Sequence, residues 1–380
     1  MRRLVIASVL LVLVGVLTSR SFASPEYVIV NDNNGRGNTL SVYRLDTTTG
    51  DLSQVAVLKT GGKGLATIQD YAYVEQAVTP DGSCIFAMDD GTHDIASFSK
   101  ATNYAKVGNY SNAAVAYYGS LALTPDGRFL YATYDESENI GAWAVNPDCS
   151  LTFLAAYVPS AGPGSFISLK VTPNGAYLVL PVGRGAEQFS IDPNTGLLTD
   201  IGFRSLDSIH RCANGSCGMF GLDFTKDSRV VVFAGGVQGT PAAFVMEITP
   251  TGLVNPQVVF LTNSAGVNYP TFPFFSAAGY AGLGNLYFGA RGNGEPNCGG
   301  VITTMFSERP AGLTLTNTTR TNCMGQGPIA ATGDIMVVAE YPNTIGVYRI
   351  NSDGSLTQLS ATVDSRAIGP FSLSVFPNTR

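Results

Sequence analysis

The chain has 380 residues, a formal net charge of −6 and only 13% charged residues, about half the share usual in globular proteins. No basic run interrupts it, which argues against nucleic acid and an anionic membrane surface as partners. Forty-three glycines count among a surplus of small and polar residues; 43 Gly in so weakly charged a chain suits tight turns between strands rather than exposed helices.

Residues 1–23 have the three parts of a secretory signal: Arg2 and Arg3, an apolar run from Leu4 to Leu17, and Ser21-Phe22-Ala23 as a small-x-small cleavage site. The apolar run, about 14 residues, is short of the roughly 20 that span a bilayer. Cleavage is expected after Ala23, giving a secreted or periplasmic protein whose mature part, residues 24–380, is a single domain with no membrane span. Six cysteines in an oxidising compartment lead to an expectation of disulfides.

Beyond the signal, one unit recurs. TPDG at Thr79–Gly82 and Thr124–Gly127, TPNG at Thr172–Gly175 and a degraded TKDS at Thr225–Ser228 each precede a β-rich run, at intervals of about 45–53 residues, the length of a propeller blade. Gly284 and Gly333 mark two further copies. Within the unit an inner strand A ends at this turn, where proline presets φ and glycine accepts positive φ. Strand B follows, as in Arg128–Tyr134, then a variable B–C loop and strand C, as in Asn139–Asn146. A second hairpin, read in LDTTTGDLS from Leu45 or INSDGSLT from Ile350, leads to strand D. A seventh copy is split: Phe376–Arg380 repeats the start of the unit and Glu26–Val30 the strand that should follow. The expected fold is therefore all-β, a seven-bladed β-propeller of four-stranded antiparallel blades, its ring closed by the C-terminal strand joining the N-terminal strands, which removes free sheet edges. The Trp-Asp and Gly-His signals of WD40 blades are absent, and the Gly-Gly pairs fall at different phases of the unit, unlike kelch.

The TPDGRFLY inner hairpin combined with an outer hairpin of the form I..(F/W/Y).(I/V)....G.LT resembles the lactonase family of seven-bladed propellers, which includes propeller-type 6-phosphogluconolactonases and carboxy-muconate cyclases. The resemblance runs through the mature chain on turn and core residues, and it implies an exported lactonase-like protein, a hydrolase or cycloisomerase of a lactone-type carboxylated small molecule. The alternative is a noncatalytic propeller that binds a ligand or protein partner. The chain departs from the family's histidine-rich loops, with His93 and His210 its only histidines, and reads Ala339-Glu340-Tyr341 where many relatives have Asn-Arg. A signal segment also separates it from cytosolic 6-phosphogluconolactone.

In a propeller the D–A and B–C loops crowd one mouth of the channel, and a site is expected there. These loops supply Arg36, Asp89, Asp90, His93, Asp135, Glu136, Glu138, Arg184, Glu187, Arg291, Glu295, Glu340, and the neighbours His210 and Arg211. Opening a lactone needs a base or activated water and cations for the oxyanion and carboxylate. His210, Arg211 and Arg184, with Glu187 as helper, are the expected catalytic group; Arg291, Glu340 and Arg36 are the expected substrate contacts. The acidic pairs are too few in oxygens for calcium, and Gly61-Gly62-Lys63-Gly64 precedes no helix, so no metal and no cofactor is expected, and the partner is a small anionic molecule or a protein met by a monomer. Expected disulfides are Cys212–Cys217, Cys298–Cys323 and Cys84–Cys149.

Overall fold

The computed structural model describes residues 26–65, 76–111, 119–134, 139–160, 168–209, 212, 217–237, 240–260, 275–281, 285–291, 299–306, 313–320, 329–340, 343–360, 363–365 and 372–376; in the stretch 275–320 the side chain of Tyr287 alone is described. The strands form antiparallel sheets, each meandering from an inner to an outer strand. Sheet 1 holds Gln76–Val78, Cys84–Asp89, Asp94–Ser99 and Ala105–Tyr110, and sheet 2 holds Leu121–Leu123, Phe129–Tyr134, Asn139–Val145 and Leu151–Tyr157. Sheet 3 holds Lys170–Val171, Tyr177–Val182, Gly185–Ile191 and Leu198–Ser205; sheet 4 holds Cys217–Phe224, Val230–Val237, Thr240–Thr249 and Gly252–Phe260. Sheet 5 is built from Phe275–Ala281, Asn285–Arg291, Gly299–Phe306 and Leu313–Arg320.

Sheet 6 departs from the four-stranded expectation. After Ile329–Thr332, Ile335–Glu340 and Thr344–Ile350, its outer strand is broken into Leu356–Gln358 and Val363–Asp364, both paired to Thr344–Ile350, so the sheet has five strands. Leu359 and Ser360 fill the break: Leu359 donates its N–H to the Val347 carbonyl, and Ser360 Oγ donates 2.8 Å to the Gly50 carbonyl of the neighbouring sheet. Sheet 7 takes its inner strand, Ser372–Phe376, from near the C-terminus and pairs it with Glu26–Asn31, followed by Thr39–Leu45 and Leu52–Lys59. Tyr27 stacks on Phe376 at 5.2 Å across this join. The inner strands touch in succession from sheet 7 to sheets 1, 2 and 3, the second strand of sheet 3 touches the inner strand of sheet 4, and contact continues through sheets 5 and 6 back to sheet 7. The protein is an all-β propeller of four-stranded antiparallel blades, sheet 6 excepted.

The A–B turns explain why the unit repeats. Thr79 Oγ1 accepts from the Cys84 N–H at 2.9 Å and donates to Asp81 Oδ1 at 2.8 Å, while Gly82 turns back at φ +68°. Thr124–Asp126 and Thr225–Asp227 repeat the hydroxyl–carboxylate bond, and in the degraded copy Ser228 takes the left-handed conformation (φ +60°) that glycine takes elsewhere. Apolar side chains from both faces of each sheet meet the next sheet: Phe86, Met88, Leu130 and Trp143 between sheets 1 and 2, Tyr131, Leu180 and Phe189 between 2 and 3, Phe233 and Phe244 with Val179 between 3 and 4. Such two-sided burial is why the B and C strands read as continuous apolar runs.

Neighbouring blades are also pinned by single bonds. Tyr131 donates 2.9 Å to the Gly196 carbonyl in the C–D turn of sheet 3, and Tyr287, at the same strand position in sheet 5, donates 3.1 Å to Gly354 in sheet 6. Between sheets 1 and 2 a disulfide replaces this bond: Cys84–Cys149 joins strand B of sheet 1 to the C–D turn of sheet 2. The expected Cys212–Cys217 bridge is also formed, whereas Cys298 and Cys323 lie outside the described residues. Tyr131→Phe should lower stability by about 1 kcal/mol, because it leaves the buried Gly196 carbonyl without its donor; a urea midpoint unchanged from the parent would show that the bond is idle.

Candidate functional site

One sector of the B–C and D–A loop face lies where sheets 7 and 1 meet. The D–A segment Thr60–Leu65 of sheet 7 lies between two B–C loops, bonding Gly64 N–H to Asn34 O at 2.9 Å, Gly91 N–H to Lys63 O at 2.8 Å and Asn38 N–H to Gly62 O at 2.9 Å. Beneath it is a buried polar cluster. Asn38 Nδ2 donates to Asp89 Oδ1 at 2.7 Å and Asn31 Oδ1 at 2.8 Å, and Asn31 Nδ2 donates to the Met88 carbonyl at 2.9 Å. Asn109 Nδ2 reaches Asp94 Oδ1 at 2.6 Å and Asp89 Oδ2 at 3.5 Å. A Cβ on Gly62 would overlap the Asp89 carboxylate, so glycine is required for this close cover. Burial, reinforced by the nearby charge of Asp94, pushes the Asp89 carboxyl up to about 7. Asp32 accepts from Thr39 and Ser41 at 2.5 and 2.9 Å in the same region.

Two more buried acids are held by neighbouring chain, one across a blade seam and one within its own sheet. Glu187, on strand C of sheet 3, accepts both the N–H and the hydroxyl of Ser160, at 2.6 and 2.8 Å, from the chain leaving sheet 2. Glu340, closing strand B of sheet 6, accepts from the Tyr348 hydroxyl at 2.5 Å and lies over Gly346. Burial and this carboxylate together hold the Tyr348 phenol far above its ordinary range.

The other expected site residues are scattered. Arg184, in the B–C turn of sheet 3, is exposed and faces Asp207 at 3.6 Å. Arg36 is exposed in its loop, its N–H bonded to Asn34 Oδ1. Arg291 ends strand B of sheet 5, opposite Gly299. His210, Arg211, Asp135, Glu136, Glu138 and Glu295 lie outside the described residues. His93 takes φ +60° where its turn closes on the Asp89 carbonyl. Among the described residues no cluster of three metal-capable side chains occurs, and no helix is long and apolar enough to cross a membrane.

A charged pair that sequence reasoning missed joins two inner strands: Lys170 Nζ of sheet 3 lies 3.4 Å from Asp223 Oδ1 of sheet 4, the lysine partly exposed and the aspartate buried. Both stand two residues before the A–B turn threonine, Thr172 and Thr225, where the first two copies have Ala77 and Ala122 before Thr79 and Thr124. Aligning the repeats one strand further back from their turns would have exposed it.

Residues 36–167 match the family "Lactonase, 7-bladed beta-propeller". In sequence the chain matches none of the curated proteins. In structure it is similar to a provisionally described 6-phosphogluconolactonase of Bacteroides fragilis (TM-score 0.71, 16% identity, 93% of this chain and 99% of that one). It is also similar to a periplasmic gluconolactonase of Pseudomonas aeruginosa (TM-score 0.67, 16% identity, 93% and 99%), and to a Lactobacillus plantarum protein (TM-score 0.68, 14% identity, 93% and 99%).

Proposed function

For a chain whose matched segment and fold together support the propeller-type lactonase family, we propose a seven-bladed, exported lactonase-like enzyme that hydrolyses or cyclises a lactone-type carboxylated small molecule at its channel mouth. The seven sheets and the circuit of touching inner strands support the blade number. The two disulfides, Cys84–Cys149 and Cys212–Cys217, support a compartment outside the cytoplasm, and cleavage after Ala23 belongs to the same reading.

The observation that carries the reading is the family match over residues 36–167, which includes the mouth loops of sheets 7 and 1. Fold alone does not fix chemistry, so the side chains must supply it. Within this proposal His210, Arg211 and Arg184 remain the acid–base and cationic groups of the sheet 3 and 4 sector, with Arg291, Glu340 and Arg36 around the rim. Glu187, held by Ser160 at the adjoining seam, is their helper.

Incubating the purified protein with a panel of five- and six-membered lactones and their open acids, with acid release followed in a pH-stat, tests the reading. Turnover above the uncatalysed rate, reduced at least tenfold by Arg184→Ala, is expected. Thermal protection by an open acid without turnover of any lactone would favour the noncatalytic binding propeller instead.

A further inference from the structure

The glycine-rich string Gly61-Gly62-Lys63-Gly64 precedes no helix, and its use lies in how the segment from Thr60 to Leu65 is fastened. Towards sheet 7, Thr60 donates its N–H and its hydroxyl to the Asn38 carbonyl at 3.1 and 3.0 Å, and the Leu65 N–H donates to Asn33 Oδ1 at 2.8 Å. Towards sheet 1, the Lys63 N–H donates to Thr92 Oγ1 at 3.1 Å, and the Lys63 carbonyl accepts from Gly91. Glycine is needed where these backbones close up: a Cβ on Gly64 would overlap Asn33, and one on Gly91 would overlap the Gly64 carbonyl. The segment is a single-chain strap drawn across the seam between two blades.

Beneath the strap is a pair of carboxyl groups. Asp89 and Asp94 stand directly opposite across the B–C hairpin of sheet 1, and Lys106 meets the pair through Asn109, whose Oδ1 takes its ammonium at 2.8 Å. The two Asp89 oxygens are unequally served. Oδ1 accepts from Asn38 at 2.7 Å, whereas Oδ2 has a 3.5 Å contact with Asn109 and lies under Gly62, whose Cβ, if present, would overlap it. Gly62 brings it no donor, because its N–H goes to Thr60 Oγ1 at 3.2 Å and its carbonyl takes the Asn38 N–H. The strap thus shuts water away from a carboxylate oxygen without replacing it, and this burial outweighs the hydrogen bonds that favour the ion. The other titratable or charged groups around Asp89 are Asp90 and His93 in the same hairpin turn, Asp32 in the B–C loop of sheet 7, and Lys63 on the strap itself.

We infer that Thr60–Leu65 is a proton-operated strap, closed over the seam of sheets 7 and 1 when Asp89 is protonated and released when Asp89 ionises, so that the face between the two B–C loops opens as the surroundings turn from acid to neutral. Ionisation acts through water. With the strap away, Oδ2 is hydrated and the carboxyl titrates near its ordinary 3.8; with the strap down it titrates near 7. The closed form therefore holds the proton more tightly, and its advantage is complete below about 4, declines as pH rises and is gone above 7. Linkage turns this into a change of roughly 100-fold in the ratio of open to closed strap between pH 5 and 8. A short surface segment held by backbone bonds can open in this way while the sheets on either side stay folded.

Hydrogen exchange of the full chain from pH 5 to 8, read by mass spectrometry on peptides covering the strap and strand Cys84–Asp89 and corrected for the intrinsic rate, tests this. The strap should exchange at least about tenfold faster than Cys84–Asp89 at every pH, and its protection should fall roughly 100-fold across the range. Asp89→Asn should keep the strap protected throughout, within about threefold, although His93 still titrates there. Gly62→Ala should leave the strap unprotected even at pH 5 while Cys84–Asp89 stays protected, because the added Cβ overlaps the Asp89 carboxylate. Three outcomes in the strap would overturn the inference: protection independent of pH in the wild type, a fall as large in Asp89→Asn, or protection equal to that of Cys84–Asp89, which reports unfolding of the whole chain. So would a protected strap in folded Gly62→Ala. The wild-type profile and Gly62→Ala decide the matter if Asp89→Asn fails to fold. Exchange needs no substrate, so its outcome is separate from lactone turnover.

Discussion

Replacing Cys84 and Cys149 together by serine should lower the unfolding free energy by about 4 kcal/mol, one of the two largest losses expected from changes in this molecule. The two cysteines are 65 residues apart, and releasing a loop of that length returns this much chain entropy to the unfolded state. Cys149 adds a second effect. Its φ is +69°, at the C–D turn position where Gly50, Gly196 and Gly354 have φ between +71° and +80°, so a side chain stands where the repeat otherwise uses glycine. Cys84→Ser/Cys149→Gly should therefore be about 1 kcal/mol more stable than the double serine protein. Denaturant midpoints with and without reductant measure both: reductant should shift the parent further than either double variant, all three keeping the Cys212–Cys217 bridge. A parent midpoint insensitive to reductant would show that the bridge contributes nothing to stability.

The second large effect is a dependence on pH centred on Asp89. In the unfolded chain its carboxyl titrates near 3.8 and in the fold near 7. The folded protein therefore holds this proton more tightly. The stabilisation is complete below about 4, declines as pH rises and is lost above 7, and by linkage it amounts to roughly 4 kcal/mol. Asp89→Asn is neutral at every pH and its Oδ1 still accepts from Asn38, so the difference between parent and variant should grow in the variant's favour between pH 5 and 8. Thermal unfolding across that range decides it. A constant difference would mean that Asp94, or Lys106 through its 2.8 Å bond to Asn109, compensates the charge.

The repeat was legible because its turns use chemistry that few other residues supply. Thr79-Pro80-Asp81-Gly82 and its three relatives close their A–B hairpins with a threonine hydroxyl bonded to the side chain two residues on, a carboxylate in three and the Asn174 amide in the fourth, and the split copy led to the join of Ser372–Phe376 with Tyr27–Asn31. Of the expected disulfides that form, Cys84–Cys149 followed from the phase of the repeat, which puts an A–B turn beside the next blade's C–D turn, and Cys212–Cys217 from the short loop it closes. The break in the outer strand of sheet 6 was not legible, since Ser360, just past the first piece, turns its hydroxyl to the Gly50 carbonyl of a sheet distant in sequence. The site was read less well than the scaffold. Charged residues in B–C loops were assigned to the mouth, yet Glu187 lies buried on a strand because its partner, Ser160, arrives from another blade. Lys170 and Asp223 were overlooked because a pair 53 positions apart acquires meaning only when two inner strands meet.

The join of sheet 7 bears on the order in which the molecule is made. Its inner strand is the one whose sheet partners lie about 345 positions earlier, and among the described residues no other strand pairing is so distant in sequence. Until Ser372–Phe376 emerges, the edge Tyr27–Asn31 has no neighbour on its inner side, although Val28, Ile29 and Val30 are fully buried in the finished structure. A growing chain must carry that apolar edge unprotected while every other blade can already form. A protein stopped before residue 372 should therefore collect as aggregates, whereas shortening it after Phe376 leaves the edge covered.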